Sequence, residues 1–206
     1  MIKNEFIRIN ENKFEHISLP VLKGLNYGSA ITFMISNHQL QIFRNQFVNC
    51  NALFAGAVGF HHDNSAALVQ HNNFTNCTAV NGAAINVNSN NYGMKFIGNV
   101  LFNCSTVNTG GATITSGALT FGFFNYDIII ANSNFSYCHS SYIGGAITVA
   151  AGNNKLTFNN LLIDSCKSSR GGSIFFNANN SDIMINSTKI INSSSVNYGG
   201  DRIREY

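Results

Sequence analysis

The sequence predicts an all-β fold, a right-handed parallel β-helix with three short strands per coil of about 27 residues and roughly seven coils. Three observations predict it. Cys50, Cys77, Cys104, Cys138 and Cys166 are spaced 27, 27, 34 and 28 residues apart, and a further step of 27 reaches Ser193. Three residues before each stands a large apolar side chain: Phe47, Phe74, Leu101, Phe135, Ile163 and Ile190. A glycine turn closed by a branched residue gives a second ladder, Ile31, Val58, Ile85, Ile114, Ile147, Ile174 and Ile203. Stacked parallel strands need this identity of register, because each side chain sits over its counterpart about 4.8 Å away. Handedness follows from the crossover preference of parallel strands.

Composition agrees. Charged residues are only 10% of the chain, with 17 Phe, no Trp and one Pro, and about one residue in six is Asn. So little charge and so many aromatics argue against disorder, and abundant Asn, Gly and Ser favour turns over helix interiors. Net charge is +3 with no run of Lys or Arg, which argues against nucleic acid as a partner. No apolar stretch approaches the ~18 residues of a membrane helix, so direct membrane insertion is not expected. The first residues, MIKNEFIRINENKFEH, lack the apolar core of a secretory signal.

Taken in order, Ile7, Ile9, Phe14 and Ile17 match an incomplete first coil, with Ile17 at the cysteine position. A longer bend, SLPVLKGLNY, leads to Gly28-Ser29-Ala30-Ile31. A third ladder is made of alternating pairs: Leu40 and Ile42, Ala67 and Val69, Met94 and Phe96, Ile128 and Ile130, Leu156 and Phe158, Ile183 and Ile185. Their period of two marks strands. From second ladder to third the offset is nine residues, except for fourteen between Ile114 and Ile128. That excess predicts a loop over Ser116–Asp127 carrying Phe121, Phe123, Phe124 and Tyr126. Folded back, the loop covers a flank of the coil; left exposed, it is a surface for a receptor or glycan. At the far end Gly199-Gly200-Asp201-Arg202-Ile203 begins another turn. Residues 1–206 read as a single β-helix domain cut from a longer repeat protein, with end-to-end contact to further repeats.

Chemistry is sparse. The cysteines occupy one rung position and read as a packed column of reduced thiols, not as a metal site, which needs convergent ligands. The glycine pairs open no helix and are corners, not a phosphate loop. Asn49, Asn76 and Asn103, just before cysteines, predict a buried ladder of side-chain amides, which would shield their acceptor sequons from glycosylation. Asp63, Asp127, Asp164 and Asp182 fall at different places in their coils, without the paired carboxylates of a glycosidase. His61-His62-Asp63 reads as a solvated bend. No cofactor, metal or catalytic residue is predicted.

At its repeated phrase the sequence resembles the polymorphic outer-membrane proteins of chlamydiae, a family marked by GGAI and FxxN motifs. Gly144-Gly145-Ala146-Ile147 is an intact GGAI, Gly171-Gly172-Ser173-Ile174 and Gly82-Ala83-Ala84-Ile85 are variants, and Phe96-Ile97-Gly98-Asn99 fits FxxN. In Phe74-Thr75-Asn76-Cys77 cysteine replaces the final Asn. The resemblance implies a pectin-lyase-like β-helix and a role as a surface adhesin, displayed at the cell surface or outside the cell as part of a longer protein. The expected function is therefore a non-catalytic adhesion module. The alternatives are a polysaccharide-binding or polysaccharide-degrading β-helix and a purely structural repeat.

Overall fold

The computed structural model describes residues 4–19, 30–107 and 116–198. The chain winds as a right-handed parallel β-solenoid of about six turns, with every strand pairing parallel to its counterpart one coil away. The predicted strands are present. One seven-stranded sheet (sheet 1) carries the alternating pairs, with Ile42, Val69, Phe96, Ile130, Phe158 and Ile185 in one register column. A second seven-stranded sheet (sheet 2) carries Phe14, Phe47, Phe74, Leu101, Phe135, Ile163 and Ile190. After the cysteine comes a sheet absent from the prediction (sheet 3), five short strands from Thr78–Ala79 to Ser194–Tyr198. Its outward residues are too polar and its strands too short to show a period of two. The six-stranded sheet after the glycine turn (sheet 4) closes the coil.

The insertion lies elsewhere than the ladder predicts. Leu119, not Ile114, pairs with Ile85 and Ile147, so the offset to Ile128 is nine residues here too. Residues 119–123 form a regular strand of sheet 4, not a loop. The extra residues of this coil therefore precede Ser116, which bridges Asn81 and Ile143. Ile114 and Ile203 lie outside the described residues.

Packing follows the register. Phe14, Phe47 and Phe74 stack with ring centroids 4.9 and 4.8 Å apart and planes within 6°, so each ring covers the next at the rung spacing. Fully burying such side chains contributes roughly 2–3 kcal/mol each, which makes the core column the main source of stability. The glycine pair is needed where it stands. Gly144 has φ +52°, and a Cβ on Gly145 would collide with the carbonyl oxygen of Gly172.

Three corners per coil share one device. A residue with left-handed backbone turns the chain, and the next side chain points inward. At the corner between sheets 4 and 1 these turning residues are Ser36, Asp63, Asn90, Phe124, Gly152 and Asn179. The inward ones are Asn37, Asn64, Asn91, Asn125, Asn153 and Asn180, each amide donating to the next from Asn4 onward. Left-handed backbone costs about 1–2 kcal/mol at a non-glycine residue. The inward amides offset it: Asn64 Oδ1 accepts from the Asn37 N–H at 3.1 Å and its side-chain amide at 2.8 Å. Asn64 Nδ2 donates in turn to the Phe33 carbonyl at 3.2 Å. The amides of Asn12, Asn45 and Asn72 do the same between sheets 1 and 2, and the row ends with the Asn99 backbone N–H donating to Ser133 Oγ. No helix among the described residues is long and apolar enough to cross a membrane.

Candidate functional site

Since interior columns repeat, function has to lie where the outward columns differ. The corner between sheets 4 and 1 differs most. Phe121, expected in a contact loop, is 0% exposed and packs between Val87 and Val149 on neighbouring rungs; it is core. Phe123, Phe124 and Tyr126 are 40%, 65% and 49% exposed. Phe124 occupies the turning position at φ 57°, where other coils place Ser, Asp, Asn or Gly. Its ring lies 6.4 Å from that of Phe123. Tyr126 points outward because Asp127, at φ 56°, reverses the strand's phase before Ile128. Lys155 Nζ sits 5.6 Å from the Tyr126 ring centroid and 2.9 Å from Asp127 Oδ1.

Tyr92, 51% exposed, stands in register with Tyr126 one rung away. Below it the same outward column continues through Ser65, His38 and Glu5, bridged rung to rung. With Ser36 and Asp63 these four residues line a groove of about 330 Å³. His38 Nδ1 lies 2.7 Å from Ser65 Oγ. An imidazole on a serine beside two carboxylates suggests nucleophilic chemistry, but the backbone does not assist it. The N–H groups of Ser36, His38, Gln39, Asp63, Ser65, Ala66 and Tyr92 all donate to ladder carbonyls, and those of Asn37 and Asn64 to the next Asn Oδ1. None of these N–H groups is left to stabilise an oxyanion. The lining instead offers hydroxyls, an imidazole, carboxylates and a phenol ring to a bound molecule.

The sequence reading missed this groove. Glu5, His38, Ser65 and Tyr92 share no residue type, and only the column shows them as neighbours. The usable signal was the Asn repeat at 37, 64, 91 and 125: the residues after Asn91 and Asn125 are exposed, that after Asn37 is half-buried, and only Ser65, after Asn64, is buried.

The cysteine column is a third plug of the same kind. All five cysteines are buried and none is in a disulfide. Cys50 Sγ lies 3.7 Å from the carbonyls of Phe14 and Val48, the counterparts of the two carbonyls that Asn45 Nδ2 reaches on Ile9 and Phe43. Ser193 takes both roles natively, accepting from the Cys166 N–H and donating to the Ile191 carbonyl. Burial holds the Cys104 thiol well above its ordinary pKa, as expected for a thiolate with no cation in the core to compensate it. Among the described residues no group of three or more His, Cys, Asp or Glu is placed to hold a metal ion.

Two other expectations change. Asn49, Asn76 and Asn103 do form an amide ladder, at 3.2 and 2.9 Å, but on the outside of the corner. Asn76 and Asn103 are exposed, so packing does not shield their sequons. His61 and His62 end the strand Val58–His62 with ring centroids 3.9 Å apart, and only Asp63 is in the turn.

Fold and surface together define a parallel β-solenoid with one chemically distinct corner. Comparison with known proteins finds no matching family model, curated protein or solved structure.

Proposed function

We propose that this chain is a non-catalytic, adhesin-like module of the cell surface, a stiff rod that presents the corner of Tyr92, Phe123, Phe124 and Tyr126 to a receptor or glycan. One observation carries it. Four large aromatic side chains are exposed together on a corner whose other turning residues are small and polar. Exposed apolar clusters of this kind mark contact surfaces, and aromatic anchors dominate binding energy where they occur. The GGAI and FxxN resemblance to chlamydial outer-membrane proteins supports the same reading. Export as part of a longer surface protein belongs to this proposal.

The test is binding of the purified chain to cultured cells, with a Phe124→Asn, Tyr126→Asn double variant. Asn already stands at both positions on other rungs, as Asn90 and Asn154, so the fold tolerates it. The variant is expected to lose about tenfold in binding. Unchanged binding would remove the corner as the contact. The enzyme alternative is met by incubation with neutral and acidic polysaccharides, where release of new reducing ends would overturn the non-catalytic reading.

A further inference from the structure

We infer that the groove of Glu5, Ser36, His38, Asp63, Ser65 and Tyr92 is a saccharide subsite that takes neutral or amine-bearing sugars and rejects acidic ones. It rests on the binding role proposed above and adds the class of ligand.

The shape comes first. The groove holds about 330 Å³ and follows one outward column over four consecutive rungs, Glu5, His38, Ser65 and Tyr92. Three rung steps span about 14 Å, so an extended oligomer lying along the rod meets a new side chain at each step. The chemistry of those side chains suits sugar. The half-exposed phenol of Tyr92 gives a flat apolar surface for the C–H face of a pyranose ring. His38, half-buried and oriented by its 2.7 Å contact with Ser65 Oγ, offers a neutral hydrogen-bonding group. The carboxylates of Glu5 and Asp63 accept from hydroxyls or from an ammonium.

Charge sets the selectivity. Elsewhere among the described residues, Glu11, Glu15 and Asp127 are each paired with an Arg or Lys, while Asp164 is met by Ser165 and Asn192. Among the described residues the groove lining holds two carboxylates and no Lys or Arg. A uronate or sialate carboxylate placed there meets like charge, which opposes binding. A glucosamine ammonium meets opposite charge. The mixed lining distinguishes this from a bare acidic patch: the ring-stacking and hydroxyl contacts are made by sugars and not by simple cations.

The experiment uses three trimers as probes, of glucosamine, of N-acetylglucosamine and of galacturonic acid, with affinity from calorimetry and contact from saturation-transfer NMR. The expected order is glucosamine tightest, N-acetylglucosamine next and galacturonate weakest. Asp63→Asn should weaken the glucosamine trimer about threefold and leave the N-acetylglucosamine trimer nearly unchanged. Tyr92→Asn should weaken both by about tenfold. Asn90 and Asn154 occupy these positions on other rungs, so both variants keep the fold. No binding by any trimer, tightest binding by galacturonate, or binding indifferent to Tyr92→Asn would each overturn the inference. Cell binding is scored separately. If it persists and falls with the Phe124 and Tyr126 variant while no trimer binds, the adhesion reading stands and the saccharide subsite fails. If the trimers bind as ordered while cell binding ignores that variant, the reverse holds.

Discussion

The corner between sheets 4 and 1 and the corner after sheet 2 turn the chain by the same backbone geometry, yet one is plugged with asparagine and the other with cysteine. Both plugs must satisfy an inward N–H and two inward carbonyls at a bend where ladder bonding is interrupted. An amide does this with strong donors and an acceptor, as Asn91 shows by accepting from the Asn64 N–H at 2.9 Å and donating to the His61 and Ser89 carbonyls at 3.2 and 3.1 Å. A thiol does it weakly, at 3.6 Å from the Phe74 and Phe102 carbonyls for Cys104, but adds apolar contact with the column above and below. The difference teaches that the plug is defined by valence and size, not by residue identity. Reactivity and binding belong to what each corner shows outside.

The largest break in this comparison is Asn64→Leu. It leaves the Asn37 N–H and amide without their acceptor and the Phe33 carbonyl without its donor. The expected loss is about 4 kcal/mol, read as a fall of roughly 12 °C in melting temperature; a loss below about 1 kcal/mol would show that the amide ladder does not hold this corner. Next is the contrast within the aromatic stretch. Phe121→Ala opens a cavity in the core and should cost about 4 kcal/mol in denaturant unfolding. Phe124→Asn, three residues on, should stabilise by up to about 1 kcal/mol, because Asn tolerates left-handed backbone better. Equal effects from the two would contradict their opposite burial.

Smaller is Cys104→Ser. A hydroxyl keeps one carbonyl bond and the bond from the neighbouring N–H, as Ser193 does at the same position, and the variant should lie within about 1 kcal/mol of the parent. A thiol reagent should leave all five cysteines unmodified in the native state and react only on unfolding; rapid native reaction would mean that the column is accessible.

The smallest effect is a pH dependence at the other corner's edge. Burial, with a lesser contribution from the charge of His62, lowers the pKa of His61 below its reference of 6.5. Below about pH 6.5 the unfolded chain therefore binds a proton that the folded chain resists. The stability linked to His61 is complete above that pH and is lost as pH falls through the folded value. Melting temperature should decline slightly between pH 7 and 5, and His61→Asn should flatten the decline; an unaltered slope would place the titration elsewhere.

Much of the fold was legible because its columns repeat. The Phe, Cys and alternating ladders carry the same side chain, or one of the same class, at a fixed spacing. Sheet 3 was not legible: pairs such as Thr78–Ala79 and Ser105–Thr106 are too short and polar to show a period. Position 119 was misread because Gly110-Gly111-Ala112-Thr113-Ile114 copies the glycine turn more closely than Ser116-Gly117-Ala118-Leu119 does. Local resemblance favoured the wrong copy, and pairing with Ile85 and Ile147 selected the other.

By itself the sequence determined the solenoid, its period and its packed cysteine column, because stacked rungs demand the same side-chain volume and polarity at each step. Tertiary structure alone decided which aromatics face solvent. Phe121 and Phe124 differ by where the left-handed turn falls, and only strand register fixes that point. It also assembled Glu5, His38, Asp63, Ser65 and Tyr92 into one groove, since residues some 27 positions apart become neighbours only when the coils stack.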